Sequence, residues 1–429
     1  MLRALSFSAG FYDLKVVFIG ETGLSLFSIF ALLFTPIILL NRFFSNSRNN
    51  LKKSHIYLLF FILYLVVSKI FPFYAGSVMV LPYTSNYLDL TYQPLPEEIF
   101  GIRNLFFPIL YVLTAIAISI KVQTYLQFLN CVSSFIWGVL VIGITGIFFQ
   151  ILAISNSEMS ANLIALFTFG NSFTDEILAR IDYQSFAGLK RMYSFAGEPG
   201  YGANLFIFAL GILLVTKDTN IKKSSFLYNS KIPTLALLIM SIMTLSTTGI
   251  LGILITIFVI ILWASQNKIR SLLLIIIFLG LALLILIIFD DLRIYFIENH
   301  LLKLIGGAGS GAIRFINLQH SVELFFINPI FGIGYGSHRS TTFILSLLVN
   351  LGLVGTTIFF LMILDLIFKK RDISLKKGIS RGLSTALLVW IILSPISQTG
   401  VALLFPWLWL AIGLLISYPS KYKILHTLK

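Results

Sequence analysis

An all-α bundle of membrane-crossing helices is the fold class this sequence predicts, on three observations. Of its 429 residues 58% are hydrophobic and only 11% charged, against about 25% charged in typical soluble domains. The mean hydropathy is +0.95. The apolar residues come in runs of about 20, the length at which a helix crosses a bilayer core, rather than in the short alternating strands of an outer-membrane barrel. No soluble domain stands apart, so residues 1–429 read as a single integral membrane domain.

The runs lie at 24–40, 56–80, 104–120, 131–152, 201–216, 232–248, 249–264, 271–289, 343–368, 382–399 and 401–418. About 11 spans are therefore expected, with a range of 10–12, because run ends are loose to a few residues. A twelfth helix can fit in residues 1–20, where Phe7, Phe11, Val16 and Phe18 alternate with charges. Those first residues lack the basic start, clean apolar core and small-residue cleavage site of a secretory signal, so no cleaved leader is expected. The single Cys131 excludes an internal disulfide.

Orientation follows from Lys and Arg. Segments 41–55, 121, 217–231, 265–270, 369–381 and 421–429 hold twenty of the 31 basic residues, with Asp218 and Asp372 as their only acids. The positive-inside rule makes these segments cytoplasmic. The opposite side carries most of the carboxylates, among them Asp89, Glu97, Glu98, Glu198, Asp290 and Glu323, and faces the periplasm or the cell exterior. The formal charge of +14 thus reflects topology, not nucleic-acid binding.

Two outer loops are long, 153–200 and 290–342, and loops beyond about 12–15 residues are usually functional or disordered. With the stretch on to Gly355, the second is the main polar interruption of the chain, holding Arg293, His300, Arg314, His320, Glu323, His338 and Arg339. Residues 290–305 read as a helix lying in the headgroup layer. Gly306–Gly311 reads as a hinge, since a phosphate-cradling loop would need the Lys and Ser/Thr that are absent here. Residues 312–327 read as a second helix, ended by Asn328 and Pro329. An enzyme with an external working face is the first hypothesis.

Spans that run inward begin near Tyr201, Gly249 and Phe343, and their free N–H groups and positive dipole ends point outward. Such ends suit phosphate. Pro199 fits a first helical turn, and Ser340 or Thr341 fits an N-cap; every helix needs a cap, so these residues serve structure and function equally. Arg191, Arg314 and Arg339 lie close to these entrances, where a guanidinium either grips a lipid diphosphate by paired hydrogen bonds or anchors at headgroups. Glu198 and His338 are the candidate bases for a sugar hydroxyl, although Glu198 equally suits a helix start. His300 and His320 read as interfacial. Lys69 reads as snorkelling to the outer headgroups, and Asp365 with Lys369 as a local pair four residues apart. No zinc spacing, paired-carboxylate motif or Asp-x-Asp signature stands out. No metal and no cofactor are therefore expected.

Residues 314–355, RFINLQHSVELFFINPIFGIGYGSHRSTTFILSLLVNLGLVG, resemble the shared block of the O-antigen polymerase and ligase superfamily: an Arg, a helix, P-x-x-G-x-G, a polar patch, then a span with G-x-x-G. RMYSFAGEPGYGA, residues 191–203, is similar to the Arg and Glu-Pro element that precedes a span in the same group. Ligases usually open the following helix with His-Asn; Thr341 and Thr342 stand there in this chain, so the resemblance leans to the Wzy-type polymerase. It implies a glycosyltransferase of the GT-C-like membrane fold in a bacterial inner (cytoplasmic) membrane, working on the periplasmic face. Undecaprenyl-diphosphate-linked repeat units would be joined by inverting transfer, in a pathway that also holds a flippase and a chain-length regulator. Arg191 and Arg314 would clamp diphosphate, Arg339 and His338 would line the site, and Glu198 would orient or activate the acceptor. The rivals are a ligase that passes the polymer to lipid A core, and a transporter, which would show inverted repeats and helices broken at Gly or Pro.

Overall fold

The computed structural model describes residues 1–11, 14–19, 22–44, 53–72, 78–81, 92–95, 102–168, 178, 181, 185–186, 189–196, 198–215, 230–264, 310–369, 378–397 and 402–417. Among these the regular structure is helical apart from three two-stranded antiparallel sheets. Five helices are long and apolar enough to cross a membrane, and five shorter apolar helices accompany them. This is an all-α membrane protein. Every expected run except 271–289 coincides with a helix; that run, the helix expected over 290–305 and most of the expected glycine hinge lie outside the described residues.

At the N-terminus, α1 (Leu2–Ser8) has only seven residues, about 10 Å at helical rise. A hairpin of β1 (Lys15–Ile19) and β2 (Thr22–Ser25) follows it, so residues 1–20 contain no span of their own. Next come α2 (Leu26–Phe44) and α3 (Lys53–Val67), which continues as a 3-10 turn over Ser68–Ile70. The continuous helix ends in that turn, with Phe71 still in helical geometry, and the rest of the run expected to reach residue 80 is described only at Pro72 and from residue 78 on. There β3 (Met79–Val80) pairs with β4 (Gln93–Pro94). Lys69 does not snorkel: its ammonium is buried, at an end of α3 where Gly334 approaches Pro72 and the Ser68 carbonyl.

Helix α4 (Ile102–Lys121) precedes α5 (Tyr125–Ser155), whose start is a capping box of Thr124 with Gln127. Asn156 ends α5 in extended geometry, and α6 (Ser157–Thr168) begins at once. The expected outer loop 153–200 therefore opens as helix, and later contains the hairpin β5 (Ser185–Phe186) and β6 (Leu189–Lys190). Helices α7 (Pro199–Val215), α8 (Lys231–Met243) and α9 (Thr247–Val259) follow. The turn between α8 and α9 places Leu245 at φ 47°. Last come α10 (Ser310–Ile327), α11 (Phe343–Lys369), α12 (Gly378–Ser397) and α13 (Pro406–Ser417).

Small residues let these helices approach closely, as they do where lipid removes the hydrophobic drive for association. Gly138 of α5 faces the Phe7 carbonyl of α1, Gly211 of α7 faces Ala386 of α12, and Gly413 of α13 faces Ala115 of α4. Hydroxyl pairs add polar contacts between α2 and α4, with Ser28 against Tyr111 at 2.8 Å and Thr35 against Thr114 at 2.9 Å.

The feature that positions the candidate site is a break in α11. Gly352 has φ 61° and ψ −170°, and the chain folds back on itself there. In a straight helix Phe343 and Phe359 would lie about 24 Å apart; their ring centroids are 5.5 Å apart. Residues 343–351 thus form a half-helix packed against 353–369. Phe359 also meets Phe61, midway along α3, so the half-helix starts at the level of the middle of a candidate span. The expected straight span over 343–368, counted above among the five long helices, is therefore two helical segments folded into a hairpin.

Candidate functional site

A broken helix leaves carbonyls unpaired on one side of the break and N–H groups unpaired on the other. Residues 329–334, PIFGIG, satisfy both sets. The N–H groups of Ile333 and Gly334 donate to the carbonyls of Val349 (2.8 Å) and Asn350 (2.9 Å), while those of Leu353 and Val354 donate to the carbonyls of Pro329 (2.8 Å) and Ile330 (3.1 Å). Tyr64 of α3 donates its hydroxyl to the Leu351 carbonyl at 2.8 Å. This clasp demands glycine. A Cβ on Gly332 (φ 76°) would sit 2.5 Å from the Gly352 nitrogen, one on Gly352 would strike the Ile330 carbonyl, and one on Gly355 would strike the Tyr64 ring.

Residues 337–341, SHRST, run from the clasp to the start of the half-helix, held between two asparagines. The Asn350 amide oxygen accepts from the N–H groups of Ser337 (3.0 Å) and His338 (2.9 Å), and its amide nitrogen donates to the His338 carbonyl at 2.7 Å. From α10, Asn317 accepts from the Thr341 N–H (2.9 Å) and donates to the Arg339 carbonyl (3.2 Å). Leu81, just past β3, accepts from the Arg339 N–H at 2.9 Å. The Leu81 N–H donates to His338 Nδ1 at 3.1 Å, so the proton of that ring is on Nε2, 2.9 Å from Ser321 Oγ. Ser340 Oγ lies 3.0 Å from the same Ser321 oxygen.

His338 is completely buried. Burial, reinforced by neighbouring His320, lowers its pKa to about 3, so it stays neutral across the physiological range. Both ring nitrogens are engaged, and in this geometry the side chain is a strut of the loop. Arg339 is partly buried, with Nε enclosed. Arg314 is exposed on α10, and its carbonyl lies 3.4 Å from Thr341 Oγ1. The cap of the half-helix is Thr342, which accepts from the Ser346 N–H through its carbonyl and from the Leu345 N–H through its hydroxyl. The expected caps, Ser340 and Thr341, are diverted to the α10 network.

Arg191 and Glu198 occupy a second neighbourhood. Gln150 of α5 donates to the carbonyls of Lys190 (2.5 Å) and Met243 (3.2 Å), which ties the strand before Arg191 to the end of α8. Glu198 stands at the start of α7; its carbonyl accepts from Tyr201 (2.9 Å) and Gly202 (3.1 Å), and Pro199 opens the first turn as expected. The start of α9 lies alongside. A Cβ built on Gly200 would be 3.8 Å from Thr248 Oγ1 and 4.0 Å from Ser246 Oγ, and Ser246 caps α9 by accepting from the Thr248 N–H.

Arg314 is thus brought to the loop that carries Arg339, while Arg191 and Glu198 lie on segments that meet the end of α8 and the start of α9. A chain of ring contacts links the two neighbourhoods: Tyr201 to Phe405 (5.6 Å), Phe405 to Trp407 (5.3 Å), Trp407 to Trp390 (6.3 Å) and Trp390 to Phe343 (5.1 Å). Sequence reasoning missed Asn317, Ser321, Asn350 and Tyr64. Asn350 carried a usable signal, as an amide inside an apolar run that has to find partners. No protein-family model matches this chain, and no curated protein matches it.

Proposed function

We propose that this protein is a membrane glycosyltransferase that polymerises undecaprenyl-diphosphate-linked repeat units into an O-antigen or related surface polysaccharide on the periplasmic face of a bacterial inner membrane. The observation that carries the reading is the immobilised 337–341 loop, with Arg339 on it and Arg314 beside it, feeding a helix that begins inside the bundle. Transfer from a lipid diphosphate needs fixed positive groups where charge develops on the leaving group, and donors already aimed at that charge lower the barrier without having to reorganise. Arg191 and the paired starts of α7 and α9 add a second set of donors. Membrane lipids, a flippase and a chain-length regulator of the same pathway are the partners this reading entails.

Deletion of the chain followed by glycan analysis on a gel tests it. Loss of the polymer ladder, with one repeat still attached to core, is the expected result. Polymer that accumulates on lipid and never reaches core identifies a ligase instead, and an unchanged ladder rejects both. Arg191→Ala and Arg314→Ala are each expected to collapse the ladder while protein abundance in the membrane stays normal; normal ladders in both remove the diphosphate clamp. The break at Gly352 favours one second reading, a transporter, because discontinuous helices build midplane binding sites in that class. Flux of the lipid-linked repeat across the membrane, lost on deletion while polymer already outside keeps growing, would select it.

A further inference from the structure

His320 and His338 meet edge to face, with ring centroids 5.8 Å apart, yet they use their nitrogens differently. His338 has both engaged in the loop. His320, on α10, donates from Nε2 to the Met79 carbonyl at 2.9 Å, which fixes the neutral tautomer and leaves a lone pair on Nδ1. That nitrogen faces Glu323 Oε2 at 3.6 Å, and the side chains are 25% and 75% exposed. Tyr92, next to β4, closes the remaining side with its ring 4.5 Å away. Burial raises the Tyr92 phenol above its ordinary range, opposed by Asn317 and reinforced by the Glu323 charge, so Tyr92 stays neutral. The groups facing His320 are thus Glu323 on its own helix, Tyr92 from the hairpin and His338 from the loop. It is an imidazole oriented by a backbone carbonyl, with an open nitrogen beside a carboxylate, at the edge of the loop that carries Arg339.

We propose that His320, backed by Glu323, is the general base for the acceptor hydroxyl, an inference that rests on the glycosyl-transfer reading above. The hydroxyl gives its proton to Nδ1 as its oxygen bonds to the anomeric carbon of the donor. The bond from that carbon to the diphosphate oxygen breaks, and its electron pair leaves with the diphosphate. The imidazolium is held beside the Glu323 carboxylate and then returns its proton to water. Arg339 hangs from the Met79–Leu81 segment that also holds His320, so donor and acceptor groups share one support.

Right-side-out vesicles of the native membrane, containing its own lipid-linked repeat, are assayed for polymer growth across about pH 5 to 8, the window in which imidazole titrates. His320→Gln keeps an N–H for the Met79 carbonyl and removes the base; growth is expected to fall about 10²- to 10⁴-fold, with the acid limb of the profile abolished. Glu323→Gln is expected to give a smaller loss of growth, because the imidazolium formed on transfer loses its neighbouring carboxylate. A wild-type profile in both variants, with vesicles lacking the chain inactive, overturns the dyad alone. Growth that persists without the chain overturns the transferase reading as well. Should His320→Gln fail to accumulate, the exposed Glu323→Gln decides: slowed growth at normal abundance supports the proposal and wild-type growth rejects it.

Discussion

Around His338 the N–H groups of Ile333, Gly334, Tyr335, Ser337, His338, Arg339 and Thr341 all find acceptors, whereas around Arg191 the polar atoms are only partly used. Gln150 donates to two carbonyls there, but its own oxygen and Arg191 Nε are both buried with no hydrogen-bond partner among the described residues. Leaving such groups unmet costs stability, and the cost is tolerated where a partner arrives from outside the fold. The first neighbourhood is saturated along its backbone, although Ser337 Oγ there is likewise buried without a hydrogen bond among the described residues; the second leaves side-chain polar atoms unmet where its strand meets α5. Changes to the residues that hold the first backbone, Asn350 and Gly352, should register mainly as lost stability, and a change to Arg191 in the second mainly as lost function.

The sharpest way to break this contrast is Gly352→Val. It forces a branched residue into left-handed backbone and against the Ile330 carbonyl, at a cost of at least ~3 kcal/mol. We expect the variant to vanish from the monodisperse peak in size-exclusion chromatography. Normal accumulation would mean that the clasp is not the keystone of the loop. Asn350→Ala comes next, stranding the His338 N–H and removing the amide's bond to the His338 carbonyl, while Ser337 keeps the Gly334 carbonyl; about 1–3 kcal/mol is expected from thermal unfolding in detergent. Gln150→Ala should cost less than half as much, and equal losses would erase the distinction between the neighbourhoods.

The smallest effect is pH dependence. His338 binds a proton near its ordinary 6.5 when unfolded and only near about 3 when folded. Between those values the unfolded chain carries the extra proton, so stability is full above the upper value and falls as pH falls through the window. The slope is at most ~1.4 kcal/mol per pH unit. Calorimetry of the detergent-solubilised protein should show that slope flattened in His338→Gln.

Much of the bundle was legible because crossing helices follow from apolar run length alone, and the helix over 312–327 followed from Asn328 and Pro329. The Pro199 start of α7 was legible from helix-start chemistry, whereas Ser340 and Thr341 look like caps in sequence and are drawn off by Ser321 and Asn317. The break at Gly352 was not: LLVNLGLVG is apolar on both sides, and one glycine in such a run fits close helix packing as readily as a reversal. Only the pairing of residues 329–334 with both halves decides between them, and that pairing is non-local. His338 drew notice as a possible base because histidine is versatile. Its burial depends on Leu81 and Ser321, which lie 257 and 17 residues away in sequence.

The re-entrant half-helix sets a condition on the segment that precedes it. Because Phe343 lies level with the middle of α3, residues 335–342 run down into the bundle as irregular chain, which at membrane depth is tolerated only when protein, and not lipid, answers its amides. Asn317 and Asn350 supply those answers. In amide exchange such a stretch would behave like the rungs of a helix, resisting deuterium despite having no repeating conformation, and so it cannot serve as a swinging lid. Any motion that admits a ligand to this loop has to come from elsewhere in the envelope of the bundle.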